Sequence, residues 1–187
     1  EPGRRDSTRS ALRRLLDESH PPSLRKLHVD EEVTLSDAKD FQIEATVLYP
    51  TQQVQNDRAD DRAMVLMVQL GRWRVLWLSD TGWHAEKALC SSSEDFRCDV
   101  LIRSQHEVDL STSAEFLLKA SPQIILCGSD ARAVETALPE SLVQRAKAQN
   151  IPLLDTWSTG SIDLQFHRDE LRIVTNRSKQ RFVLKPR

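Results

Sequence analysis

The stretch MVLMVQLGRWRVLWL at residues 64–78 decides the architecture of this chain. Two strongly apolar runs flank Gly71-Arg72, and this arrangement predicts an antiparallel β-hairpin. In the second run Trp73, Val75 and Trp77 share one strand face, which predicts that both tryptophans pack in the core rather than stack on bases. The hairpin is the most strongly indicated element of the chain.

Outward from the hairpin, period-two and short apolar runs alternate with amphipathic runs, which predicts strands separated by helices. The predicted strands are 29–35, 41–49, 64–70, 73–78, 99–103, 123–127, 151–155, 162–166, 171–175 and 181–184, and the predicted helices are 7–18, 83–90, 114–120 and 139–149. This order indicates the α/β class, a layered sandwich of mixed β-sheet with covering helices. We divide the chain into an N-terminal helix and connector (1–24), a main unit (25–175) and a basic C-terminal strand or tail (176–187).

Composition excludes several classes of protein. The chain has 187 residues with 39% hydrophobic and 29% charged side chains, enough for one domain with a real core. Its five glycines lie more than ten residues apart, so GxGxxG, Walker and GxSxG motifs are absent. Three cysteines without a CxxC pair predict buried or reduced thiols, not a disulfide framework. Residue 1 is Glu, with no leader after it, which predicts an excerpt or a processed product.

One ordered run of motifs resembles a known family. It comprises the loop NDRADDRAMVL (56–66), the strand pair, SDTG (79–82), Glu86 and DVLIRSQH (99–106). This order is similar to the C-terminal metallo-β-lactamase-like domain of the ComEC family of DNA-uptake competence proteins. The resemblance implies the C-terminal half of a metallo-β-lactamase fold, with Asp80 and His106 as metal ligands. It also implies a parent that handles incoming DNA as a nuclease using zinc or manganese.

The sequence departs from the family at several ligand positions. Ser79 stands where the family has glycine, Glu107 stands in place of the second histidine, and Val108 replaces the following glycine. The H-x-H-x-D-H cluster of the superfamily is absent, and residues 128–140 contain no histidine. Two-metal hydrolysis needs ligands for two ions, and one catalytic zinc usually takes three protein ligands. We therefore expect no cofactor in this chain and no hydrolysis by it.

The resemblance also implies partners and a location. The partners would be DNA, the missing N-terminal half of the domain and a membrane-embedded parent. The chain would then be a soluble, extracytoplasmic domain of a bacterial membrane protein.

Alternatives remain open for each residue. Asp80 also fits a helix cap before residue 83, and His106 fits a loop histidine bonded to backbone. A second functional hypothesis is a non-enzymatic nucleic-acid-binding or protein-binding domain. It rests on the basic end of the chain, because phosphate contacts need cations. The residues concerned are Arg177, Lys179, Arg181, Lys185 and Arg187. A third hypothesis is a structural half-domain that needs its other half.

Overall fold

The computed structural model describes residues 27–38, 41–50, 63–104, 111–128 and 138–187. The predicted helix at 7–18 lies outside these ranges. The strands are β1 (Glu32–Ala38), β2 (Phe41–Tyr49), β3 (Val65–Leu70), β4 (Trp73–Trp77), β5 (Val100–Ser104), β6 (Ile124–Gly128), β7 (Leu153–Asp155), β8 (Ile162–Phe166), β9 (Leu171–Thr175) and β10 (Arg181–Leu184). The helices are α1 (Trp83–Ser91), α2 (Ala114–Ala120), α3 (Glu140–Ala148) and α4 (Thr156–Thr159).

The strands form two sheets. The first has seven strands in the order β1-β2-β3-β4-β5-β6-β7, and the second has three in the order β10-β9-β8. Strands β1 to β4 pair antiparallel, whereas β4 to β7 pair parallel through the crossovers that contain α1, α2 and α3. The expected layered α/β sandwich with a mixed sheet is confirmed at this level. The hairpin at Gly71-Arg72 is also confirmed, and β4 is the strand where the pairing changes direction.

Helices α1, α2 and α3 cover one face of the seven-stranded sheet, because their apolar side chains pack against apolar side chains of the strands. Leu76, Leu101 and Ile125 from the sheet share a buried cluster with Phe116 from α2 and Leu142 from α3. All five are fully buried. Burying a side chain of this size contributes about 1.5–3 kcal/mol, so this helix-side core holds the parallel strands in place.

The three-stranded sheet covers the opposite face. Trp73, Val75 and Val100 pack with Leu171 and Ile173 in a second core. The Trp73 indole donates from Nε1 to the His167 carbonyl in the β8–β9 turn, 2.7 Å away, so this tryptophan is fixed by packing and by a hydrogen bond. The expected turn between these two strands is confirmed by the bond from His167 N to Glu170 O, 2.9 Å.

The expectation for Trp77 was wrong. Trp77 is on the same face as Trp73 and Val75, but 49% of its surface is exposed, whereas Trp73 is fully buried. It belongs to neither core cluster. It is the last residue of β4, about 13 Å along the strand from Trp73, so it extends past the cover that the second sheet provides.

Cysteines behave as the sequence indicates. Cys98 and Cys127 are buried, Cys90 is partly buried, and none is in a disulfide. Burial raises the pKa of the Cys98 thiol to about 12, so this side chain stays a neutral part of the helix-side core.

Candidate functional site

The chemically interesting part of the fold is the edge where the parallel strands β4 to β7 end, which we call the carboxyl edge. In open α/β sheets, ligands bind outside the carboxyl ends of parallel strands. The loop after β4 contains Asp80, and the chain after β7 forms α4 directly. Side chains that are distant in sequence therefore meet at one edge of the sheet.

Asp80 is exposed in the loop that joins β4 to α1. Its neighbour Ser79 has a positive φ of 50°, and Thr81 is buried with its hydroxyl donating to the Leu78 carbonyl, 2.7 Å away. The N-cap of α1 is Gly82, and no side chain caps this helix. The capping role expected for Asp80 is therefore wrong, because the turn at Ser79 and Thr81 leaves the carboxylate pointing to solvent.

His106, the other predicted metal ligand, lies outside the described residues. The strand that leads to it, β5, is the parallel neighbour of β4, with Trp77 paired to Ile102. The ends of these two strands thus adjoin at the carboxyl edge. Within the described ranges, no group of three or more His, Cys, Asp or Glu side chains is arranged to hold a metal ion. Asp80 alone does not fit a zinc or manganese site.

Behind the exposed loop lies a buried polar network that the sequence analysis did not assign. Glu86 of α1 and Arg103 of β5 are 1% and 4% exposed. Glu86 accepts from the backbone N–H of Thr112 through Oε1, and from that of Ser113 through Oε2 at 3.2 Å. Arg103 donates from Nη1 to Thr112 Oγ1 at 2.6 Å and from Nη2 to Ser111 Oγ at 3.1 Å.

This network joins three elements at the carboxyl edge. Glu86 and Arg103 both contact the short segment before α2, where Ser113 is the N-cap and accepts from Phe116 N. A buried charge is stable only when it is paired or fully hydrogen-bonded. The guanidinium and the carboxylate therefore fix the start of α2 against α1 and β5, and Glu86 is engaged by backbone rather than available to an ion.

A carboxylate with a lowered pKa, that of Asp95, lies at the opposite edge of the sheet. Asp95 accepts hydrogen bonds from Arg97 and from Arg74 near the start of β4. These bonds, with Arg97 the larger cause, hold the pKa of the Asp95 carboxyl well below its usual range. Asp99 accepts from the Arg74 backbone N–H at 2.9 Å. This cluster links the start of β4 to the segment that precedes β5.

The predicted nucleic-acid residues are on or beside one edge strand, β10. They are Arg177 and Lys179 in the β9–β10 turn, Arg181 and Lys185 at the two ends of β10, and Arg187 beyond it. Arg181, Val183 and Lys185 alternate on the outer, exposed face. Arg177 donates to the Trp157 carbonyl, and Arg187 donates to the Ser121 carbonyl near the start of β6. The five cations are thus spread over both ends of the second sheet.

Three of the four tryptophans are half-exposed at the carboxyl edge. Trp77 is 49%, Trp83 is 42% and Trp157 is 39% exposed. They end β4, begin α1 and follow β7 within α4. The Lys87 ammonium lies over the Trp83 ring, 5.0 Å from its centroid. Sequence reasoning missed this set, because only the parallel pairing of β4 to β7 shows that these strands end at the same edge of the sheet.

No family model and no curated protein matches this chain. None of the helices in the described ranges combines the length and apolar character that crossing a bilayer requires. The function is therefore inferred from the residues of the carboxyl edge and of β10.

Proposed function

We propose that this chain is the C-terminal portion of a metallo-β-lactamase-like domain of a ComEC-type DNA-uptake protein, and that it does not hydrolyse DNA. The observation that carries the proposal is the path of the chain from β3 to β5. An antiparallel strand pair, a turn with Asp80, a helix and a parallel strand follow one another, as the family resemblance implies. The turn and the end of β5 then lie beside each other at the carboxyl edge.

Lack of hydrolysis follows from the donors that the sequence supplies. The family positions match only one aspartate and one histidine, Asp80 and His106, whereas a two-metal phosphodiesterase needs ligands for two ions about 3.5–4 Å apart. The buried acid of α1, Glu86, has both oxygens engaged by backbone N–H groups. The nearby buried cation, Arg103, further opposes the approach of a divalent ion.

Metal binding and nuclease activity test this proposal together. The purified chain is incubated with Mn²⁺ or Zn²⁺, desalted, and its metal content measured, while cleavage of end-labelled single-stranded and double-stranded DNA is followed. We expect no stable pair of bound ions and no cleavage. Two tightly bound ions with turnover that Asp80→Ala abolishes would refute the proposal. Asp163→Ala is the matched control, because Asp163 is an exposed aspartate on β8 of the second sheet.

A second candidate function is non-enzymatic binding of nucleic acid by β10. It is favoured by the exposure of Arg181 on the edge strand β10 and of Lys179 and Lys185 just before and just after this strand. Cations that contact phosphates release counterions, so affinity should fall steeply with salt. Lys185 is also 3.6 Å from Glu170, which weakens its attraction for phosphate.

Charge neutralisation tests this candidate. In fluorescence anisotropy with a labelled oligonucleotide, replacing Lys179, Arg181 and Lys185 by Gln should weaken binding. It should also reduce the slope of log affinity against log salt by about 1 per lost phosphate contact. Lys147→Gln is the control, because Lys147 is exposed on α3 in the helical layer. Equal affinity and slope for the triple variant and the control would exclude the β10 surface.

A further inference from the structure

We propose that residues 7–18, which the sequence predicts to form an amphipathic helix, dock on an apolar patch beside the second sheet. The patch lies on the face of the seven-stranded sheet that carries Trp73, and it is built by β1 to β4. This inference goes beyond the proposed function and does not depend on it. We call the following side chains the β1–β4 patch: Val33, Ala45, Val47, Leu66 and Trp77.

Strand register places the patch on one face. Directly opposed residues of an antiparallel pair project from the same face, as do residues two positions apart on one strand. The rows of opposed residues are Val33, Ala45, Val68 and Val75 in one, and Val47, Leu66 and Trp77 in the other. Val68 and Val75 pack in the second core, so the patch continues the face that the second sheet covers. Because β1 to β4 are successive neighbours in the sheet, the patch is contiguous.

Burial shows that a further segment covers part of the patch. Ala45 is 5% and Val47 is 2% exposed, yet no residue of the patch belongs to either core cluster. Neighbouring strands flank a side chain on a sheet face but leave its tip open. Within the described ranges, the helices and strands that pack in the two cores leave the patch outside, so the atoms over Val47 come from another part of the chain. Trp77, 49% exposed, lies on the side of the patch away from β1, where the cover is partial.

The N-terminal segment has the apolar pattern that such a cover needs. Residues at helical spacing form one apolar stripe there, namely Ala11, Leu12, Leu15 and Leu16. Residues 51–62, which join β2 to β3, contain only Val54 and Ala59 as apolar residues. Residues 105–110 and 129–137 follow β5 and β6, which lie three and four strand positions from β2. The stripe of the predicted helix is therefore the best match to the patch.

The path and length of the chain also fit this position. Asp30 N donates to the Val47 carbonyl at 2.9 Å, and Val47 N donates to the Glu31 carbonyl at 3.2 Å, so the first described residues lie beside the patch. The connector that precedes them therefore starts from the covered end of β2. A helix over residues 7–18 is about 18 Å long, and β1 to β4 span three strand spacings, about 14 Å. The helix is long enough to lie across all four strands.

Crosslinking in the full chain tests the position of the helix. Leu15 lies within the stripe and Leu66 at the middle of the patch, so Leu15→Cys and Leu66→Cys should be joined by one short bis-maleimide within one chain. Cys90→Ser removes the partly buried native thiol from the background. Asp17→Cys in place of Leu15→Cys is the matched control, because two residues are about 200° around a helix.

Mass spectrometry of the digested product identifies the joined peptides. The Leu15 pair should give the crosslinked peptide in most chains, and the Asp17 pair in few. Equal yields from the two pairs would overturn the docking. A crosslink that joins two copies, in a mixture of unlabelled and isotope-labelled chains, would show that a second copy occupies the patch and would overturn it as well.

Stability gives a second readout that needs no new cysteine. Leu12→Ala with Leu15→Ala should shift the urea midpoint to lower concentration, because docked leucines lose buried contacts. On a solvent-exposed helix the same changes are close to neutral, since Ala is the better helix former. Leu118→Ala is the control without a shift, because Leu118 is 69% exposed on α2. An unchanged midpoint for the double variant would refute the docking, whereas the proposed function is judged by the metal and cleavage assays alone.

Discussion

Replacing Gly160 by alanine should destabilise the chain substantially. Gly160 ends α4 with φ 76° and ψ −157°, a combination that is open essentially to glycine alone. A Cβ at this position would lie 2.9 Å from both the backbone N and the Cβ of Arg177. The substitution therefore imposes backbone strain and a steric clash at the same time.

The neighbouring turn cannot move away to relieve the clash. Arg177 N donates to Thr159 O at 2.8 Å, and Asn176 N donates to Ser161 O at 2.8 Å, so backbone bonds hold the chain on both sides of Gly160. The strained backbone costs about 1–3 kcal/mol, and overpacking costs about 1–3 kcal/mol more. Reduced freedom of the unfolded chain offsets about 0.4–1 kcal/mol. The expected net loss in the free energy of unfolding is about 1–5 kcal/mol.

Urea unfolding followed by circular dichroism measures this loss as a shift of the midpoint at constant slope. Gly128→Ala is the matched control, because the nearest atom to its added Cβ is the Arg103 carbonyl oxygen at 3.9 Å. We expect the control to change the free energy of unfolding by less than about 1 kcal/mol. If Gly160→Ala were as stable as the wild type, the close contact between α4 and the β9–β10 turn would be refuted.

Three further predictions concern charge and burial. Glu86→Gln should lower the free energy of unfolding by about 1–3 kcal/mol, because a buried backbone N–H loses its acceptor; an unchanged urea midpoint would contradict the network. Asp95→Asn should be less stable than the wild type by about 1 kcal/mol at pH 7, after allowance for solvent screening. Because the folded-state pKa of Asp95 is lowered, that stability is present above about pH 4 and lost as the pH falls further, so melting curves of the two proteins should converge in acid. Cys98 should react with a thiol reagent at pH 8 only after unfolding, whereas the partly buried Cys90 should react in the native chain; native labelling of Cys98, mapped by mass spectrometry, would contradict its burial.

Much of the fold could be predicted because its strands follow simple patterns. The alternation around Gly71 and the continuous apolar runs near 100 and 125 specify exposed and buried strands directly. Helix α4 was missed, since four residues are too few to show a helical period. The sequence feature that indicates this helix is its N-cap residue, Asp155, whose side chain accepts a hydrogen bond from Ser158 N at 2.8 Å.

The candidate site was less predictable, because burial there depends on contacts between distant segments. Glu86 was part of a recognised run, but its backbone partners come 26 and 27 residues later. Alternation assigned Trp77 to the correct face, yet could not show where the covering sheet stops. The five basic residues are close together in the sequence, which predicts one basic strip. In the structure, β10 is extended and places the residues before it and after it at opposite ends of the second sheet.

The order of the two sheets along the chain has a consequence for biosynthesis. The apolar face around Trp73 and Ile124 is translated before its cover, which consists of β8, β9 and β10. Until those strands leave the ribosome, the nascent chain would expose this apolar surface next to unpaired strand edges. The domain is therefore expected to need chaperone protection during translation and to become fully native only after β10 has left the ribosome.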